Sequence, residues 1–100
     1  MDDDKLLLSE TELLEQVGKT VTLYNRFHSP EATAKTVRVT LGTVTVAFSG
    51  SFCYSCGVVG LLEDFAGKFK VLTDKAELKV DRTRQVNPRI FEADFKVKHR

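Results

Sequence analysis

A chain of 100 residues, 42% of them hydrophobic, can build one two-layer core and is too short for two, so residues 1–100 form a single domain. No apolar run approaches the ~18 residues that a membrane-spanning helix needs, and Met1-Asp2-Asp3-Asp4-Lys5 is acidic where a secretory signal is basic. A cytoplasmic chain without membrane contact is expected, and its two cysteines then argue for buried, redox-active or metal-binding thiols rather than a disulfide scaffold. The net charge of +1 conceals a gradient. Residues 1–16 carry six acids against Lys5, whereas residues 68–100 carry ten Lys or Arg against five acids. The basic third offers a face to an anionic partner, although solvent-facing charges on amphipathic strands are the plainer reading.

Taken in order, the chain opens with a helix signal. Ser9 is placed to cap, Glu12 to complete a capping box, and Leu8 to staple against Leu13. Gly18 follows Val17 as a stop, which gives a helix of about two turns. Only residues 1–6, ahead of this signal, are expected to be disordered. Lys19 to Phe27 then alternates Val21, Leu23 and Asn25 against Thr20, Thr22 and Tyr24, the pattern of a first strand. Ser29-Pro30-Glu31-Ala32 reads as a loop. Val37, Val39 and Leu41 mark the next strand, and at Gly42 the apolar parity flips to Val44, Val46 and Phe48, through a tight turn or a bulge. The turn is favoured.

Thr43 to Gly67 is the most distinctive stretch: a strand, a Gly/Ser turn, Cys53-x-x-Cys56, and an apolar helix. Ser55 can cap that helix, Val58, Leu61, Leu62, Phe65 and Ala66 share a face, and Gly67 ends it. Gly57 and Gly60 each cost a helix about 1 kcal/mol relative to Ala, which points to close approach by a neighbour or a ligand. Beyond Gly67, Phe69 and Val71 begin an extended segment, interrupted at Thr73-Asp74-Lys75 and resumed at Leu78 and Val80. Asn87-Pro88 is a turn. Phe91, Ala93, Phe95 and Val97 alternate with Glu92, Asp94, Lys96 and Lys98 in the clearest strand of the chain. No sequence repeat is visible. The fold expected is α+β, a mainly antiparallel sheet with a short N-terminal helix and one central helix on one face, in the order α-β-β-β-α-β-β.

Two resemblances follow from these motifs. Val46 to Cys56 resembles the active-site strand and turn of thioredoxins, which implies thiol redox chemistry with Cys56 at a helix start and Cys53 as its resolving partner. Val37 to Val97 covers more: strands, a Cys-containing segment, the helix GVVGLLEDFAG, and a hairpin closing on FEADFKV. This is similar in order and spacing to the 4-vinyl-reductase domain family, and implies a non-enzymatic module that binds a small apolar ligand, or a protein partner such as a second copy of itself, at a pocket or surface between the Gly57/Gly60 helix and the sheet. The ligand-binding residues are then Cys53, Cys56, Gly57 and Gly60. The cofactor is not named by any motif. Two thiolates are half a tetrahedral zinc site, so Cys53 and Cys56 bind metal only if two chains of a dimer share it.

A further alternative is an OB-like nucleic-acid-binding barrel using the basic third of the chain. Phe91 and Phe95 share the core parity of the last strand, however, which leaves Tyr24 as the one stacking platform, so nucleic-acid binding is not expected. His28 and His99 read as ordinary surface residues.

Overall fold

The capping box forms as the sequence predicts. Glu12 N–H donates to Ser9 Oγ at 3.1 Å and Ser9 N–H donates to Glu12 Oε1 at 3.2 Å. The structure is a computed structural model that describes residues 9–28, 32–50 and 54–99, without the side chains of 54–59. The helix begun at Ser9, α1, runs Glu10–His28 and does not stop at Gly18. The strand expected over Lys19–Phe27 is therefore helical, and the order is α-β-β-α-β-β. Tertiary burial overrides β-branched propensity here. Leu13, Val17, Thr20 and Tyr24, spaced i, i+4, i+7 and i+11, form the buried stripe. The Thr20 and Thr22 hydroxyls donate to Gln16 O and Gly18 O at 2.7 and 3.1 Å, so each finds an acceptor inside the helix. The staple residue Leu8, the loop at Ser29-Pro30-Glu31 and the disorder expected before Leu7 lie outside the described residues.

Gly42 sits in a tight turn. β1 (Thr33–Val39) and β2 (Thr43–Ser49) pair antiparallel around it, with Thr40 N–H donating to Thr43 O at 2.8 Å. Gly50, at φ 137°, takes a conformation that side chains rarely tolerate and turns the chain out of β2. The second helix, α2, spans Tyr54–Leu72, which starts it one residue ahead of Ser55 and carries it past Gly67. Phe69 is the reason: with Leu62 and Phe65 it completes a buried i, i+3, i+7 stripe, so the extended segment expected at Phe69 and Val71 is the last turn of the helix. β3 (Ala76–Asn87) and β4 (Ile90–His99) close the chain as a hairpin, and Asn87 Oδ1 accepts from Arg89 N–H at 2.8 Å in the turn.

The sheet order is β1-β2-β4-β3, antiparallel throughout. It is an open sheet with β1 and β3 as edges, not a closed barrel. α1 packs on β1, α2 packs on β3, and the helices pack on each other. This makes two α-β-β units facing one another across β2 and β4. Both helices have 19 residues. Buried Ala32 and Ala34 stand 44 positions before buried Ala76 and Leu78, and Val37 in the β1 bulge stands the same 44 before Asp81 in the first of the two β3 bulges. The repeat lies in burial and register, not in residue identity.

Where the units meet, Val44, Val46 and Phe48 pair with Phe95, Ala93 and Phe91, and all six are fully buried. Phe48 stacks on Phe91 at 5.2 Å and Phe65 on Phe95 at 5.4 Å, while Tyr24 meets Phe48 and Phe65 edge-on. Burying each such ring contributes about 1.5–3 kcal/mol, so this junction dominates the core.

Asn25, expected in a strand, instead clamps one. Its side-chain amide donates to Ala34 O at 3.0 Å and accepts from Ala34 N–H at 2.7 Å, which satisfies the free edge of β1 as a neighbouring strand would. Asn25→Ala leaves both groups of buried Ala34 unpaired and is expected to lower stability by about 1–3 kcal/mol. Denaturant unfolding with amide exchange at Ala34 checks this, and an unchanged midpoint would contradict the clamp.

Candidate functional site

Tyr24 and His28 occupy the last turns of α1, and Asp64 and Lys68 the middle of α2. The helix spacing brings all four to the seam between the helices. His28 Nε2–H donates to Asp64 Oδ2, and Lys68 Nζ donates to the same oxygen at 3.2 Å. Lys68 also stands 5.2 Å from the centre of the Phe27 ring, which is 68% exposed. The His28 ring stacks on Tyr24 at 4.3 Å. His28 is thus half-buried and paired, not the free surface histidine expected, and Tyr24 is fully buried, not an exposed platform.

The Tyr24 hydroxyl is buried and has no hydrogen-bond partner among the described residues. Burial, and secondarily the negative charge of Asp64, raise its pKa above the ordinary phenol value. The group is held neutral as a donor without an acceptor. Asp64 moves the other way: burial pushes it up, but hydrogen bonds from His28 and Lys68 and their charges outweigh that and hold it below the usual carboxylate range. Two carboxylate-cation groups therefore shape the molecule. The second lies on the helix-free face of the sheet, where Arg84 binds Glu92 at 2.8 Å and Asp94 at 3.1 Å, and Thr45 Oγ1 donates to Asp94 at 2.7 Å.

The predicted site residues fall as follows. Cys53 lies outside the described residues. Cys56 and Gly57 are in the first turn of α2, with side-chain surroundings outside the described set. Gly60 is exposed, and a Cβ added there meets no described atom within 4 Å, so close packing does not explain it. The space beneath Leu62 and Phe65 is filled by the aromatic core. Gly57, Gly60 and Asp64 are spaced i, i+3 and i+7, which puts both glycines on the face of α2 that carries Asp64. That link between the glycines and the polar cluster was not visible while Tyr24 and His28 read as strand and surface.

Two other features stand apart. A depression of about 490 Å³ is lined by Glu15, Gly18, Lys19, Thr22, Leu23 and Arg26, all from α1 on the side turned away from its buried stripe. His99 Nε2–H donates to Leu41 O at 3.0 Å, and its Nδ1 is buried without a partner among the described residues, so this histidine is not free at the surface. Among the described residues no three His, Cys, Asp or Glu side chains converge as a metal site, and no helix is long and apolar enough to cross a membrane.

Tyr24→Phe removes the unpaired hydroxyl and keeps the ring. In protein stripped of small molecules by unfolding and refolding, it is expected to raise stability by up to ~1 kcal/mol in denaturant unfolding; a clear loss there would mean that the protein itself supplies the hydroxyl with a partner. Acid sensitivity follows from the carboxylates. Asp94 is lowered by hydrogen bonds from Arg84 and Thr45, and Asp64 is lowered as above. A carboxylate whose folded pKa lies below its unfolded value of about 3.9 contributes stability that is present above that value and lost as pH falls through the folded one. Stability should therefore fall below about pH 4, with a shallower fall in Asp94→Asn. A fall equally steep in that variant would assign the titration elsewhere.

Comparison with protein-family models, with curated proteins and with solved structures returned no match.

Proposed function

We propose that this chain is a non-enzymatic binding module of the kind the 4-vinyl-reductase resemblance implies, taking a small, largely apolar ligand at the seam between α1 and α2. The observation that carries the reading is the fully buried Tyr24 hydroxyl, which has no hydrogen-bond partner among the described residues; Gly57 and Gly60 add a stretch without side chains on the Asp64 face of α2. A buried donor left without a partner costs about 1–3 kcal/mol, and an acceptor atom on a ligand removes that cost. The open space at Gly60 leaves room for the ligand's apolar body, and His28 with Asp64 closes one end of the seam.

The module does no bond-making chemistry in this reading. Asp64 is engaged by His28 and Lys68, and Tyr24 is held protonated by its surroundings. Cys56, in the first turn of α2, lies eight residues from Asp64, about 12 Å along the helix axis.

The test is to purify the protein natively and identify by mass spectrometry any small molecule released on denaturation. A stoichiometric apolar compound with a hydrogen-bond acceptor is expected, and it should be lost from Tyr24→Phe. Gly60→Ala provides the counter-check. It should stabilise the ligand-free helix by up to ~1 kcal/mol, because no described neighbour clashes, and weaken ligand retention. Retention unchanged in both variants would move the site away from this seam.

A further inference from the structure

The helix-free face of the sheet bears a local excess of positive charge that the fold itself does not neutralise. On β3 and β4 this face carries Glu77 opposite Lys98, Lys79 opposite Lys96, Arg82 opposite Asp94, and Arg84 opposite Glu92. Arg84 takes both Glu92 and Asp94, and Asp94 also accepts from Thr45. Arg82 thus faces a carboxylate whose bonds go elsewhere. Lys79 and Lys96 stand directly opposite one another across the ladder, an arrangement that destabilises a sheet. None of the three has an ion pair among the described residues, and Lys79, Arg82 and Lys96 occupy adjacent rows of the same face.

From this arrangement we infer that the β3–β4 half of the helix-free face is a docking surface for an acidic segment of a partner protein, whose carboxylates lie on Lys79, Arg82 and Lys96. Charge complementarity selects the partner's sign, and a like-charge pair held in register is relieved when a carboxylate bridges it. The neighbouring β2 positions, Thr43 and Thr45, are small hydroxyl side chains that leave the cations accessible. Two features favour a protein over a nucleic acid. The rings of Phe91 and Phe95 point to the opposite, buried face, so this one has no base-stacking platform. Asp94 shares the row of Arg82 and Glu92 occupies the next row, where an unbroken line of phosphates meets negative charge and a mixed polypeptide places a donor instead.

The experiment is an NMR titration of the full chain with a short peptide of alternating Glu and Ser, with a DNA duplex of similar length run in parallel. Peptide-induced shifts are expected at the amides of Lys79 to Arg82 and Asp94 to Lys96, decreasing as salt is raised. Lys96→Glu turns the like-charge pair into an opposite-charge one. Its melting midpoint should rise, which separates loss of binding from loss of fold, while peptide affinity drops roughly tenfold. Shifts centred elsewhere, no shifts at low salt, unchanged affinity in Lys96→Glu, or duplex binding at these residues as tight as the peptide's would each overturn the assignment.

Discussion

The antiparallel pairing of β2 with β4 is the constraint on which the rest of the fold depends. It sets Val44, Val46 and Phe48 against Phe95, Ala93 and Phe91 with every side chain buried, and among the described residues it is the only ladder joining the two α-β-β units. A slip of one residue turns Phe48, Phe91 and Phe95 outward, so the register is fixed by burial on one face. Phe48 of the stacked Phe48–Phe91 pair is then met edge-on by Phe65 from α2 and Tyr24 from α1. Both helices are therefore positioned by rings that belong to the central strands.

That arrangement also explains where polar chemistry gathers. Because the aromatic cluster fills the space beneath α2, its polar neighbours are displaced to the seam with α1, where His28 and Lys68 converge on Asp64. Tyr24 belongs to both regions: its ring completes the core and its hydroxyl falls at the polar boundary without a partner. A structural role alone is served by phenylalanine at that position, and the tyrosine is what makes the seam a candidate site.

How much of this was legible in the sequence depends on which signal each segment carried. The last strand, the Asn87-Pro88 turn, the hairpin at Gly42 and the capping box at Ser9 were readable, because alternation and turn chemistry are local. The second half of α1 was not. Val21, Leu23 and Asn25 mimic a strand, and the helical stripe depends on Thr20, a polar residue that becomes a core residue only when its hydroxyl bonds Gln16 O. Phe69 was misread for the opposite reason: Gly67 looked like a stop, and the burial of Phe69 carried the helix through it. Of the candidate site, Gly57 and Gly60 were singled out. Tyr24, His28 and Asp64 were missed because residues from two helices meet only after the fold is known.

The central claim, that the two units are locked together by β2 and β4, is tested most directly by native-state hydrogen exchange. The account predicts that amides of Val44, Val46, Phe48, Ala93 and Phe95 exchange with one common free energy equal to that of global unfolding. Amides in Arg82 to Asn87, on the exposed end of β3, should open at lower cost. If the β1–β2 hairpin instead opened independently of β4, with distinct free energies for the two units, the core would be two weakly coupled halves and the account would be wrong.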